Sequence, residues 1–176
     1  MTPFTVESIL GHARLLVYLT YRDRLPALVD WLPNITRIET LERREEGPKV
    51  HLLNRWEATG RVPAFARKYV RPDMLAWTDT ADWDDDAWRV DWRFRIHAVE
   101  NLVDVSGTNT FFEEGPSRTR LRIDATLHID GTRIPGLPAS VGRLAAPEAE
   151  RFIIKLVKPN LVETAKGVDR FLRGKA

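Results

Sequence analysis

Residues 148–172 read EAERFIIKLVKPNLVETAKGVDRFL, and apolar residues recur in this stretch every three or four positions. Such spacing is typical of an amphipathic helix. Pro147 suits a first helical position, and Glu148 and Glu150 suit a helix N-terminus, so we expect the helix to begin there and to bend at Pro159. Its apolar stripe comprises Phe152, Ile153, Leu156, Val157, Leu161, Ala165, Val168, Phe171 and Leu172.

Upstream of this helix, the sequence alternates in the manner of β-strands. Turn residues separate the segments, for example Gly47-Pro48, Gly115-Pro116 and Asp130-Gly131. The short gaps favour an antiparallel meander. We expect strands at about 4–10, 35–43, 50–59, 74–82, 87–97, 103–113 and 119–129.

Two short helices are predicted after the first strand, at 12–21 and 23–32. Pro26 fits the first turn of the second helix, and Pro33 fits just beyond its end. Residues 131–147 are rich in proline and glycine, and we expect them to form a long irregular stretch. The predicted order is therefore β-α-α-β-β-β-β-β-β-α.

This order resembles the helix-grip fold of the START-like superfamily, also called the polyketide cyclase/dehydrase and lipid-transport (SRPBCC) superfamily. Local similarities are LPALVDWLPNI at 25–35, LVDVSGT at 102–108 with TRLRID at 119–124, and IPGL at 134–137, the last as in a bacterial branch of uncharacterised function. The resemblance implies an α+β fold with a curved seven-stranded antiparallel sheet around a long C-terminal helix. It also implies a single START-like domain over residues 1–176.

The composition narrows the function classes. The 176 residues are 43% hydrophobic and 30% charged, with a net charge of +2 and no cysteine. Without a basic tract we expect no nucleic-acid partner, and without thiols there are no disulfides. The opening lacks a secretion signal and no apolar run approaches the length of a membrane span, so we expect a cytoplasmic protein.

The sequence offers no metal or cofactor motif. The four histidines are scattered without ligand spacing. The acidic run Asp84-Asp85-Asp86 lacks the ligand order of a calcium loop and is better explained as a hairpin turn. Glycine-rich phosphate loops and a serine nucleophile elbow are absent. We therefore expect no metal and no cofactor.

Large aromatic residues share strand parity with apolar neighbours across several predicted strands. Such rings either fill a core or line a pocket for an apolar guest. The residues are Trp56, Trp77, Trp88, Trp92, Phe94 and Phe111.

Polar residues occupy the same inward parity, and this favours a pocket. Asn54, Asp79 and Asn109 fall between apolar residues on the strands, while Asn160 and Thr164 lie within the helical stripe. Because an unpaired buried polar group costs about 1–3 kcal/mol, these side chains should face water, one another or a ligand. The alternative is a bulge that turns Asn54 or Asp79 outward.

The sequence thus predicts a binding or transfer protein for a lipid-like or polyketide-like hydrophobic molecule. Its gates would be residues 131–144 and 62–69, and Arg61, Arg67, Lys68 and Arg71 would permit at most a transient membrane contact. The predicted ligand-binding residues are Asn54, Trp56, Trp77, Asp79, Trp92, Phe94, Asn109, Phe111, Leu156 and Asn160.

Two other functions remain open at this point. One is a cyclase or dehydratase that uses the same cavity with Asp79 as general base. The other is a protein-binding module of the chaperone-activator type, in which Arg89, Arg93 and Arg95 on the outer sheet face meet an acidic partner. The three functions share one fold, and a superfamily with such varied members does not select among them.

Overall fold

The computed structural model describes residues 1–59 and 75–174, and its order of elements confirms the predicted fold. The main elements are β1 Thr2–Leu10, α1 Arg14–Asp23, a 3₁₀ helix Leu25–Trp31, β2 Ile35–Glu46, β3 Lys49–Ala58, β4 Ala76–Asp84, β5 Arg89–Arg95, β6 Val103–Gly115, β7 Arg118–Ile129 and α2 Ala139–Arg173. Two short 3₁₀ helices, His97–Val99 and Gly131–Arg133, precede β6 and α2.

The seven strands form one antiparallel sheet in the order β1-β7-β6-β5-β4-β3-β2. The sheet curves, and α2 packs on its concave face, mainly against β1 and the 3₁₀ helix Gly131–Arg133, and also against β7 and the 3₁₀ helix Leu25–Trp31. The structure is therefore a helix grip.

Strand register arranges the concave face in rows, because facing residues of antiparallel strands point to the same side. The first row is Val6, Ile123, Asn109, Val90, Trp83 and Val50. The second row is Phe4, Ala125, Gly107, Trp92, Ala81 and Leu52. The third row is Thr2, Leu127, Val105, Phe94, Asp79 and Asn54.

Helix α1 closes one end of this face. Tyr18 is buried and meets three other rings edge-on, with centroid distances of 5.0 Å to Trp83, 5.2 Å to Trp88 and 5.2 Å to Phe111. Its hydroxyl donates to Asp85 Oδ1 at 2.9 Å, in the turn between β4 and β5. The predicted acidic hairpin turn is thus present, and this hydrogen bond connects it to α1.

Two helix predictions need correction. The second short helix is 3₁₀ rather than α, and α2 begins at Ala139, so the predicted irregular stretch is partly helical and Pro147 lies inside the helix. Burial explains the early start, since Gly142 and Ala146 are buried and a Cβ on Gly142 would lie 1.9 Å from the Gly131 carbonyl oxygen. Within the described residues, no helix is long and apolar enough to cross a bilayer.

Candidate ligand-binding site

The centre of the candidate site is a pair of polar residues on adjacent strands. Asn54 on β3 lies directly opposite Asp79 on β4, and the pairing of these two strands has no register shift. Asn54 is 0% exposed and Asp79 is 6% exposed. The alternative in which a bulge turns either residue outward is therefore wrong; the irregularities lie in the β2–β3 pairing instead.

The hydrogen bonds of this pair are incomplete. Asn54 Oδ1 accepts a hydrogen bond of 2.9 Å from Thr40 Oγ1. Four buried polar atoms of this region have no hydrogen-bond partner in the described part of the chain: Asn54 Nδ2, Asp79 Oδ1, Trp56 Nε1 and Trp77 Nε1. An unmet buried group costs about 1–3 kcal/mol, so a cluster of four is unfavourable unless something else satisfies it.

The carboxyl group of Asp79 is strongly perturbed. Burial raises its pKa to about 7, against the opposing influence of the nearby Asn54 amide and Trp56 indole N–H. Neither of these two donors makes a well-aligned hydrogen bond to the carboxylate in the described structure. Asp79 has no ion pair with any described residue. The group is therefore poised between its charged and neutral forms near neutral pH.

Four rings lie on the same sheet face as Asp79, on β3, β4 and β5, and we call them the four-ring row: Trp56, Trp77, Phe94 and Trp92. Trp56 and Trp77 are stacked at 5.8 Å with planes 11° apart. Trp77 and Phe94 lie 6.1 Å apart, and Phe94 stacks on Trp92 at 4.5 Å. Trp56, Trp77 and Phe94 are only partly buried. The row thus runs as a continuous aromatic surface across β3, β4 and β5.

Two other predicted residues serve the packing of the sheet. Trp92 Nε1 donates to Asn109 Oδ1 at 2.8 Å, so the Asn109 carbonyl is already paired. Phe111 is buried and packs against Tyr18, Tyr21 and Trp83, at the α1 end of the concave face. These contacts place Phe111 in the core beneath α1, apart from the four-ring row.

The two helical candidates lie outside the buried cluster. Leu156 is 44% exposed, and Asn160 is exposed and donates from Nδ2 to the Leu156 carbonyl at 3.3 Å. Thr164 Oγ1 bonds the Asn160 carbonyl at 2.9 Å. The polar groups predicted to face the cavity from α2 are therefore satisfied along the helix. The predicted apolar stripe is buried in its C-terminal half, at Ala165, Val168, Phe171 and Leu172. In its N-terminal half Phe152 and Leu156 are exposed, and Ile154 is buried instead.

Two residues of the site region were missed from the sequence. Thr40 is the partner of Asn54, and nothing in the sequence connects strands β2 and β3 at this position before the register is known. Trp83 is buried, and its Nε1 has no partner within residues 1–59 and 75–174. Its alternation with Trp77, Asp79 and Ala81 was a usable signal, but the adjoining acidic run favoured a turn. Trp88 lies in that turn with φ 53°, not on a strand.

Two of the three arginines proposed to meet an acidic partner on the outer face, Arg89 and Arg93, are already paired, whereas Arg95 is exposed with no ion pair to a described residue. Arg93 forms a bidentate pair with Asp104, with both N–O distances 2.9 Å, and Arg89 pairs with Asp91. These arginines are thus neutralised by carboxylates of the same face. No cluster of metal-binding side chains is found among the described residues.

The proposed gate at 62–69 and the basic residues Arg61, Arg67, Lys68 and Arg71 lie outside the described residues. The other proposed gate, at 131–144, is only partly a loop, because the 3₁₀ helix Gly131–Arg133 and the start of α2 occupy much of it.

Solved structures with the same architecture come from several sources. TTHA0849 from Thermus thermophilus is 20% identical over 99% of both chains, with a TM-score of 0.69. Zhui aromatase/cyclase from Streptomyces sp. R1128 is 19% identical over 96% of this chain and 91% of that one, with a TM-score of 0.65. Norcoclaurine synthase from Thalictrum flavum, solved with dopamine and hydroxybenzaldehyde, is 9% identical over 99% and 88%, with a TM-score of 0.64.

These likenesses confirm the helix-grip fold that the resemblance implied. At such identities they establish the fold alone. Residues 10–155 match the family described as protein of unknown function (DUF2505), and the chain belongs to that family. None of the curated proteins matches the sequence significantly.

Proposed function

We propose that this protein is a binding or transfer protein for a hydrophobic small molecule, lipid-like or polyketide-like, held between the sheet and α2. The apolar body of the ligand lies on the four-ring row, and its polar group meets Asn54 and Asp79. Asn109 holds Trp92 through its hydrogen bond, Phe111 belongs to the core that closes the α1 end of the site, and Leu156 and Asn160 lie near the rim on α2. The proposal treats residues 1–176 as one domain.

The observation that carries this proposal is the cluster of four buried polar atoms without partners in the described structure. A packed core avoids such groups, because each one forfeits its hydrogen bonds to water on folding. The four atoms belong to residues that are neighbours on β3 and β4. A ligand or water in this region is the simplest way to satisfy them together.

The position of α2 supports the proposal. The helix packs mainly on β1 and β7, whereas the four-ring row lies on β3, β4 and β5, the opposite half of the sheet. Partly buried rings on that half are suited to an apolar guest, whose burial contributes about 25 cal/mol per Å² before ordering costs. One protein of this fold, norcoclaurine synthase from Thalictrum flavum, was solved in complex with two ring compounds, dopamine and hydroxybenzaldehyde.

Binding can be followed through the intrinsic fluorescence of the tryptophans. Native mass spectrometry of freshly purified protein tests for a co-purified guest, and titration with a fluorescent fatty acid and with 2-naphthol tests lipid-like and ring-like ligands. Trp77→Leu should weaken binding at least about tenfold, since stacking and burial together contribute more than about 1.4 kcal/mol. Arg93→Gln on the outer face is the matched control. Absence of both guest and probe binding would refute the proposal.

A second function is favoured by one specific observation, the raised pKa of Asp79. A carboxylate with a pKa of about 7 is suited to general base catalysis at neutral pH. If the protein is a cyclase or dehydratase, Asp79→Asn should abolish turnover while ligand affinity stays within about threefold. A carrier shows no turnover in either form.

A further inference from the structure

Asp79 and the rings beside it favour a ligand of one charge. This inference rests on the proposed function and narrows the class of ligand that the site would bind. We infer that the site selects an organic cation: an amine with an apolar, ring-bearing body, whose ammonium group donates to Asp79 Oδ1 and lies against the four-ring row.

The first argument is the missing partner of Asp79. Its Oδ1 is a buried acceptor with no hydrogen bond in the described structure, and no described cation pairs with the carboxylate. Its direct neighbours across the strands are Asn54 and Phe94, which carry no charge. An incoming ammonium group supplies both the donor and the countercharge that this carboxylate lacks.

The second argument is the aromatic surroundings. Trp77 precedes Asp79 by two residues on the same strand face, and Trp56 lies opposite Trp77. The face of an indole ring attracts a cation within about 6 Å of its centroid, and the attraction grows when water is excluded. A positive charge at this position is therefore stabilised by the buried carboxylate and, in addition, by the faces of the rings beside it.

The three unpaired donors refine the ligand class. Asn54 Nδ2, Trp56 Nε1 and Trp77 Nε1 all need an acceptor. An anionic ligand would meet them only by placing a second negative charge beside Asp79, which is unfavourable in a buried site. A neutral oxygen on the amine, such as a hydroxyl or an ether, meets them without that cost. The expected ligand is thus a ring-bearing amine with an oxygen acceptor.

Among the described residues around β4, Asp79 is the charged group on the concave face, and we expect it to set the pH response. On β3 and β5, Arg55, Glu57, Arg93 and Arg95 have the opposite strand parity and lie on the convex face. On the 3₁₀ helix packed beside β4, His97 is exposed and pairs with Glu100. Because burial raises the pKa of Asp79 to about 7, the carboxylate needed for an ammonium group is lost as the pH falls below that value.

The test uses three probes of one shape: 2-(1-naphthyl)ethylamine, 2-(1-naphthyl)ethanol and 1-naphthaleneacetic acid, titrated by calorimetry at about pH 5.5 and about pH 8.5. The amine stays protonated at both values. At the higher pH we expect it to bind at least about tenfold more tightly than the alcohol, corresponding to about 1.4 kcal/mol. At the lower pH we expect this preference to shrink at least about fivefold.

Two variants assign the effect. Asp79→Asn should remove the preference for the amine over the alcohol, together with the pH dependence of that preference. Asp82→Asn is the matched control, because Asp82 lies on the same strand with its side chain on the convex face, and it should retain the preference. The pH comparison on the unchanged protein stands even if Asp79→Asn does not fold.

The possible outcomes distinguish a failure of the cation inference from a failure of the proposed hydrophobic binding site. Equal binding of amine and alcohol, a preference that does not change with pH, or tightest binding of the acid would overturn the cation inference and leave the proposed hydrophobic site standing. Failure of all three probes, with no co-purified guest, would count against both.

Discussion

Asp79 and Asn54 face each other across one rung of the β3–β4 ladder, both buried, and each has one polar atom without a partner in the described structure. A pair arranged for stability alone would donate from Asn54 Nδ2 to Asp79 Oδ1 and satisfy both atoms. Departures from such local consistency are expected at functional sites. The pair therefore forms a candidate site and also lowers the stability of the fold, which unfolding experiments can measure.

Asp79 should make the protein less stable as the pH rises. Its pKa is about 7 when folded against an ordinary 3.8, so the folded state holds the extra proton between these values. The contribution of Asp79 to the free energy of unfolding is therefore most favourable below about pH 4. It declines as the pH rises to about 7, by up to about 4 kcal/mol in total. Urea unfolding of the wild type and Asp79→Asn from about pH 4.5 to about pH 8 should show a shallower decline in the variant. Parallel curves would contradict the prediction.

Asn54→Asp should place two carboxyl groups on one buried rung. Both cannot ionise at low cost, so we expect a loss of about 2–4 kcal/mol at about pH 8 that is largely recovered at about pH 5. Thermal unfolding at both pH values measures it. Asn54→Ser is the control, because it also disturbs the bond from Thr40 but adds no charge; an equal loss at both pH values in Asn54→Asp would argue against carboxylate repulsion.

Gly107→Ala should displace Trp92. A Cβ at Gly107 would lie 2.5 Å from Trp92 Cζ2 and 2.8 Å from the Asp124 carbonyl oxygen. Relieving that overlap should cost about 1–3 kcal/mol and shift the tryptophan emission. At Gly11 the nearest atom would lie 3.7 Å away, so Gly11→Ala is the control. Unchanged stability and emission in Gly107→Ala would show that the indole is not held there.

Glu150→Ala should loosen the attachment of α2 to the sheet. Glu150 is 3% exposed, accepts from the Ile129 backbone N–H at 2.8 Å and bonds Thr2 Oγ1. Losing a buried charged acceptor of this kind should cost about 2–4 kcal/mol in chemical unfolding. Glu148→Ala, two residues away and exposed, should cost less than about 0.5 kcal/mol. Similar losses in the two variants would sink the prediction.

The strands were predictable because their pattern is local. Alternation and turn residues placed all seven within a few residues, and the order of segments indicated the helix grip. The start of α2 was not predictable, because proline is favoured in the first turn of a helix and disfavoured in its interior, so the local pattern places the start at Pro147. What decides the earlier start is the contact of Gly142 with Gly131, which depends on tertiary packing.

The site was predictable in part for the same reason. Strand parity placed Asn54 and Asp79 on the inward face, where the structure has them. On α2 the argument had a weaker basis, since a broad apolar stripe does not fix the rotation of a helix. Asn160 was assigned inward from its apolar neighbours, but its amide returns to the helix backbone. Spacing identifies a face, and only packing partners determine which part of it is buried.

The antiparallel pairing of β1 with β7 has a consequence for how the chain is made. Leu10 lies opposite Thr119 and Thr2 opposite Leu127, so the first strand emerges from the ribosome long before its partner exists. Pairings so distant in sequence slow the search for the native state. During translation β1 therefore stays unpaired until β7 has been synthesised.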